Sequence, residues 1–134
     1  MNKVLIDTNI YSLAMKGDRN VISTLRNMDR IGFSVISIGE LFSGFKGGGR
    51  EEKNREELNL FLDSPRVVLH PVDENTADFY ASILNNLRAV GTPIPTNDIW
   101  IAAVAFQFGY KIFSKDKHFS LIPGLVKIGA AQDR

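Results

Sequence analysis

The sequence predicts an α/β fold: a three-layer α/β/α sandwich around a central, mostly parallel sheet. Short apolar segments, of which "KVLI" at residues 3–6 is the first, alternate with longer helical segments. Several of the short segments are continuously apolar, as is typical of strands that helices cover on both faces. Strands separated by helices form parallel βαβ units, and we therefore expect helices on both sides of the sheet.

Five segments are predicted to be strands because each is a short run rich in β-branched or aromatic residues. They are Lys3–Ile6, Gly32–Ser37, Arg66–Leu69, Tyr110–Ser114 and Leu125–Gly129.

The helices are predicted from their end signals and their apolar pattern. Gly17-Asp18 is a turn-forming pair that separates the first two helices. Ser37 and Glu40 match a capping box, and Asp73 is the predicted N-cap of the longest helix. The last helix is almost wholly apolar, which predicts burial on most sides. The predicted helices are Thr8–Lys16, Asn20–Met28, Ser37–Phe45, Arg50–Leu62, Asp73–Val90 and Asn97–Phe108.

The composition is that of an ordinary globular protein, with 134 residues, 44% of them hydrophobic and 23% charged. This length fits a single domain spanning residues 1–134. The absence of cysteine excludes a disulfide framework and thiolate metal sites, and it fits a cytoplasmic setting. No signal peptide is evident, and the longest apolar run, Ile99–Phe106, is too short to cross a membrane.

Four acidic residues are predicted to meet at one edge of the sheet. Asp7 ends the first strand, Glu40 lies in the first turn after the second, Asp98 begins the apolar helix, and Asp116 follows the fourth strand. The carboxyl ends of parallel strands and the starts of the following helices share the edge where ligands bind. A helix packed back along the strand that follows it also begins at that edge.

Each acid also has a structural explanation of its own. Asp7 could cap a helix, Glu40 could complete the capping box, Asp98 could complement a helix dipole, and Asp116 could be a turn residue. These explanations do not account for the convergence of all four. Two carboxylates about 4 Å apart repel by about 4 kcal/mol at an effective dielectric constant of 20. A hard divalent cation, Mg²⁺ or Mn²⁺, is the expected counter-charge.

The motifs around these acids resemble those of the PIN domain, and within it those of the VapC-type toxins of toxin–antitoxin pairs. The motifs are "VLIDTN", "SIGELFSG", "NDIWIAA" and "FSKDKHF", in the family's order and spacing. The resemblance implies a PIN-like fold and a Mg²⁺-dependent (or Mn²⁺-dependent) endoribonuclease. It also implies an RNA substrate, a small antitoxin protein as partner, and a homodimer. It assigns the catalytic, metal-binding quartet to Asp7, Glu40, Asp98 and Asp116, and a supporting hydroxyl to Ser114. We expect Thr8 to support the same site by hydrogen bonding.

Other residues have weaker signals. Lys46, Arg50, Lys115 and Lys117 flank the acidic motifs and could contact RNA phosphates, or could be ordinary surface residues. His118 and His70 are expected to have packing and structural roles. Leu13, Leu58 and Phe61 could contribute either to a dimer interface or to the core.

Three other functions are compatible with parts of the pattern. An aspartyl phosphatase normally needs a second acid two residues after the first, where this chain has Asn9. A phospho-receiver domain needs an acceptor aspartate after a central strand, and the third strand here ends in Leu69-His70-Pro71. A PIN-like fold that binds RNA or a partner without cutting is the remaining alternative.

Overall fold

The computed structural model describes residues 1–129, in which six α-helices and one 3-10 helix surround a five-stranded sheet. The strands are β1 (Lys3–Ile6), β2 (Arg30–Ser34), β3 (Val67–His70), β4 (Lys111–Phe113) and β5 (Lys127–Ile128). The α-helices are α1 (Thr8–Met15), α2 (Arg19–Arg26), α3 (Val35–Lys46), α4 (Glu51–Leu62), α5 (Glu74–Ala89) and α6 (Thr96–Phe108). The 3-10 helix, Lys117–Leu121, has no counterpart in the sequence prediction.

Every pairing in the sheet is parallel, and the strand order is β3-β2-β1-β4-β5. Alternate residues of β1 face opposite layers: Val4 and Ile6 pack with the first four α-helices, whereas Leu5 packs with α5 and α6. All three side chains are at most 1% exposed. The predicted three-layer architecture is therefore confirmed.

Helix α6 leads directly into β4 and sets the position of its own first turn. Gly109 ends the helix with a φ of 70°, a left-handed conformation that glycine adopts without a Cβ penalty. The chain therefore reverses at the amino end of β4, and α6 runs back along the sheet. Asp98, the third residue of α6, consequently lies at the carboxyl edge of the sheet, as predicted.

The second strand and third helix differ from their prediction. Strand β2 ends at Ser34, whose hydroxyl oxygen accepts a hydrogen bond from the backbone N of Ile36 and caps α3. Ser37 lies inside α3, fully buried, and its Oγ has no hydrogen-bond partner within residues 1–129. The predicted Ser37–Glu40 capping box is therefore wrong, and Glu40 lies in the second turn of α3 rather than the first.

The remaining element boundaries shift by no more than two residues at either end. The predicted cap at Asp73 is confirmed, and its partner in a capping box is Thr76. Leu58 is 1% exposed in the core. Leu13 and Phe61 pack against the same cluster, which favours the core role over the interface role for all three residues.

Gly32 allows an aromatic ring to lie on the face of β2. A Cβ at this position would lie 2.7 Å from Cζ of Tyr110 and 2.9 Å from Cδ1 of Leu5. The Tyr110 ring cannot easily move, because its hydroxyl is hydrogen-bonded to Nε2 of buried His70 at 2.7 Å. His70 thus has the structural role expected from the sequence.

We expect Gly32→Ala to destabilise the protein by about 1–3 kcal/mol through overpacking. Gly39→Ala is the matched control, because a Cβ there meets nothing within 4 Å. Alanine in place of a glycine inside a helix should instead stabilise by up to about 1 kcal/mol. Urea unfolding of the two variants measures both effects. Equal stability changes would contradict the close approach at Gly32.

Candidate metal centre

Asp7 is the most buried acid at the carboxyl edge of the sheet, with 4% of its surface exposed. Its Oδ1 accepts a hydrogen bond of 2.8 Å from the backbone N of Ile10 and so caps α1. Its Oδ2 accepts a hydrogen bond from Ser114 Oγ. Asp7 therefore does cap α1, as its structural explanation predicted. The cap involves only Oδ1, and Oδ2 has a separate contact with Ser114.

Ser114 connects two of the acidic segments. Its fully buried hydroxyl donates to Asp7 and accepts a hydrogen bond of 2.9 Å from the backbone N of Asp116. The hydroxyl therefore fixes the carboxyl end of β4 against the carboxyl end of β1.

Asp98 and Asp116 approach each other beside His118. Nδ1 of His118 lies 2.9 Å from Oδ2 of Asp98 and 3.0 Å from Oδ1 of Asp116. One ligating atom from each of these three side chains lies within 4.8 Å of the other two. The predicted packing role for His118 is wrong: its side chain is 41% exposed, and the residue that packs is Phe119, which is fully buried.

Glu40 approaches the centre from α3. Its Oε1 accepts a hydrogen bond of 2.5 Å from Thr8 Oγ1, and its Oε2 accepts one of 3.4 Å from Asn97 Nδ2. Thr8 thus holds a member of the predicted quartet. Asn97 was not singled out in the sequence, although it immediately precedes Asp98.

The charges at this edge are poorly compensated. Burial raises the pKa of Asp7, and the nearby charges of Asp116 and Asp98 raise it further, against the lowering effect of the Ser114 and Ile10 hydrogen bonds. Burial also raises the pKa of Asp98, with Asp116 and Glu40 adding to the rise and His118 opposing it. Carboxylates with raised pKa values in one cluster fit a divalent cation, which would supply the missing positive charge.

The basic residues predicted to contact RNA fall into two groups. The first group is next to glutamates of α4. Nζ of Lys46 lies 3.6 Å from Oε2 of Glu51, and Arg50 lines a surface groove with Glu51, Glu52 and Glu56. Lys115 and Lys117 directly flank Asp116 in the chain.

A groove of about 360 Å³ opens beside Asp116 along α1. Lys115 and Lys16 both line this groove, and no sequence motif had indicated Lys16. Lys16 is the C-cap residue of α1 and lies outside the four acidic motifs of the sequence. It comes near Asp116 because of how α1 packs in the fold.

Comparison with known proteins identifies the family of the chain. The PIN domain family profile matches residues 4–125. Ribonuclease VapC1 of Haemophilus influenzae strain R2866 is 31% identical over 126 residues, which cover 90% of this chain and 92% of that protein. Ribonuclease VapC4 of Mycobacterium tuberculosis is 30% identical over 92 residues, covering 69% of this chain and 71% of that protein.

The fold is also found in a solved DNA-bound complex. The crystal structure of DNA-bound VapBC from Salmonella typhimurium superposes with a TM-score of 0.86 and 25% identity, covering 96% of this chain and 98% of the matched chain. The chain belongs to the PIN domain family, and within that family to the VapC proteins. No helix within residues 1–129 is long and apolar enough to cross a membrane.

Proposed function

We propose that this protein is a metal-dependent endoribonuclease that hydrolyses RNA phosphodiester bonds at the acidic centre. The observation that carries the proposal is the convergence of Asp7, Glu40, Asp98 and Asp116, from four separate segments, on one edge of the sheet. The names of the VapC relatives, which are ribonucleases, support RNA as the substrate.

The proposed cofactor is Mg²⁺ or Mn²⁺. Asp7 and Asp98 are the main ligands in this proposal, and Glu40 and Asp116 complete the coordination directly or through water. Carboxylate oxygens are the donors that both ions accept. When bound, one or two such ions supply an activated water and stabilise the charge on the leaving oxygen.

The protein's own contribution is to hold these oxygens in place before the substrate arrives. Ser114 and Ile10 each fix one oxygen of Asp7, and Thr8 fixes one oxygen of Glu40. Such contacts orient the ligands and reduce the rearrangement needed during reaction. Thr8 and Ser114 are therefore positioning residues in the proposal.

The groove lined by Lys16 and Lys115 is the proposed path of the RNA strand next to the cleaved bond. Its exposed lysines offer positive charge to phosphates beside Asp116. A second groove is lined by Glu40 and Asn97 together with uncharged residues of α3. The difference in charge favours the α1 side for the backbone of the strand.

We expect Lys16→Ala and Lys115→Ala each to weaken RNA binding about equally for all sequences. Each loss should lower the slope of log Kd against log salt concentration by about 0.7, the value for one phosphate contact on a single strand. Fluorescence anisotropy with a single-stranded RNA, in an Asp98→Asn background that cannot cut, measures the slope. Lys111→Ala is the matched control, because Lys111 is exposed at the amino end of β4. A slope that changes equally in all three variants would contradict the assigned path.

The nuclease proposal is tested by incubating the purified protein with a structured RNA in EDTA, and again after adding Mg²⁺ or Mn²⁺. We expect internal cleavage only when the ion is present. Binding of RNA without cleavage at any ion concentration would contradict the nuclease proposal and favour a PIN-like protein that binds RNA without cutting it. Hydrolysis of a phosphomonoester instead would favour the phosphatase.

We further propose that the nuclease acts in the cytoplasm as the toxin of a toxin–antitoxin pair and that it forms a homodimer. The similarity to VapC proteins supports this role. Induced expression should then arrest growth, and co-expression of a small antitoxin encoded beside it should restore growth. Normal growth in cells that contain active enzyme would remove the toxin role and leave the nuclease proposal intact.

A further inference from the structure

His118 is held at the acidic centre from two sides. It is the second residue of the 3-10 helix, and its backbone N donates a hydrogen bond of 2.9 Å to Oδ1 of Asp116. The next residue, Phe119, is fully buried in the core beside α6. The hydrogen bond and the buried ring fix the backbone of His118. The fold therefore holds its imidazole close to the two carboxylates.

The imidazole Nδ1 lies at the spacing of neighbouring metal ligands. Its distances to Asp98 Oδ2 and Asp116 Oδ1 are 2.9 and 3.0 Å. Two ligands at right angles around an ion, each about 2.1 Å from it, are themselves about 3 Å apart. The three atoms can therefore share a proton, as hydrogen-bonded groups do, or surround a cation.

The chemistry of this donor set is not that of a site built for Mg²⁺ alone. Mg²⁺ is bound almost entirely by oxygen, whereas imidazole nitrogen suits first-row transition metals such as zinc, iron and nickel. Of the two ions proposed for this centre, only Mn²⁺ belongs to that row. Histidine binds a metal as the neutral ring, which here requires the proton on Nε2. The other histidine of the chain, His70, is buried against Phe108 and hydrogen-bonded to Tyr110, away from these acids.

We infer that His118 binds the metal ion directly through Nδ1, together with Asp98 and Asp116, and that this ligand gives the centre a preference for Mn²⁺ over Mg²⁺. The inference rests on the proposed function, since it assumes that the acidic centre holds a divalent ion. It adds a nitrogen ligand to the four carboxylates. In this inference, His118 determines which of the two ions the centre prefers.

Electron spin echo spectroscopy of the Mn²⁺-loaded protein tests the ligand directly. A coordinated imidazole gives a nitrogen-14 modulation in the Mn²⁺ signal. The chain has two histidines, so the source of the modulation can be assigned with two variants. We expect the modulation in the parent and in His70→Gln, and we expect His118→Ala to lose it.

Calorimetric titration of the same proteins tests the preference. His118→Ala should weaken Mn²⁺ binding by about tenfold or more and Mg²⁺ binding by less than about threefold. Bound Mn²⁺ without nitrogen modulation, or equal losses for both ions, would overturn the inference and leave the nuclease proposal standing. A parent protein that binds neither ion would overturn both. Circular dichroism of each variant confirms that the fold is retained.

Discussion

Asp98→Asn should reduce metal-dependent RNA cleavage by at least about 100-fold, which corresponds to about 2.7 kcal/mol in the activation free energy. The substitution removes the negative charge of one main ligand and keeps its shape. The fold should tolerate it, because an amide can either donate to or accept from Nδ1 of His118 and because Asp98 is partly exposed. The loss should therefore appear in the cleavage rate and not in the amount of folded protein.

Asp78→Asn is the matched control for this experiment. It makes the same change of charge and shape at an exposed position of α5. Initial rates of cleavage at saturating Mg²⁺ compare the two variants with the parent. If Asp98→Asn and Asp7→Asn both cut as fast as the parent, the acidic residues are not the catalytic centre.

Asp7→Asn should make the metal-free protein more stable while it abolishes activity. Burial and the neighbouring carboxylates raise the pKa of Asp7, so the folded state favours the protonated acid. Asparagine resembles that neutral form and can still cap α1. Near neutral pH, where the parent must bury a charge, the variant should therefore have the higher melting temperature in EDTA.

The stabilising effect of Asp7→Asn should depend on pH. A carboxyl group with a raised pKa stabilises the folded state below its unfolded pKa and loses that contribution as pH rises through its folded pKa. The difference in melting temperature, variant minus parent, should consequently grow from pH 4 to pH 7. A difference that shrinks over this range would contradict the raised pKa of Asp7.

Adding metal should reverse the order of stability. At a Mg²⁺ concentration of 100 times Kd, the parent should gain about 2.7 kcal/mol, and the variant should gain little because it has lost a ligand. Melting curves with and without Mg²⁺, again with Asp78→Asn as the control, measure the gain. An equal gain in Asp7→Asn would place the ion elsewhere.

The sequence was sufficient to predict the layers of the fold because the strands are short and mostly apolar, and because α-helices separate the first four strands from one another. It was also sufficient to predict the edge at which Asp7, Asp98 and Asp116 lie, since parallel topology decides that edge without side-chain detail. Its main error concerned the junction of β2 and α3. Ser34 and Ser37 are both plausible caps by residue type, and only the observed hydrogen bond from Ile36 distinguishes them.

The contacts between segments were the least predictable part of the centre. "HF" after Asp116 is an ordinary dipeptide, and the tight 3-10 turn is what aims His118 at Asp98 and lets Phe119 pack instead. Lys16 reaches the groove beside Asp116 because α1 lies along it. Such proximities depend on how elements pack, which local propensity does not encode.

The position of Ser114 late in the chain determines when the acidic centre can assemble during synthesis. The hydroxyl of Ser114 joins the end of the fourth strand to the end of the first, and the segment that carries it also carries Asp116 and His118. While the polypeptide is being made, that segment leaves the ribosome after all the others that supply carboxylates. A chain that attacks RNA would thus remain harmless to its own messenger until the fourth strand has emerged and docked.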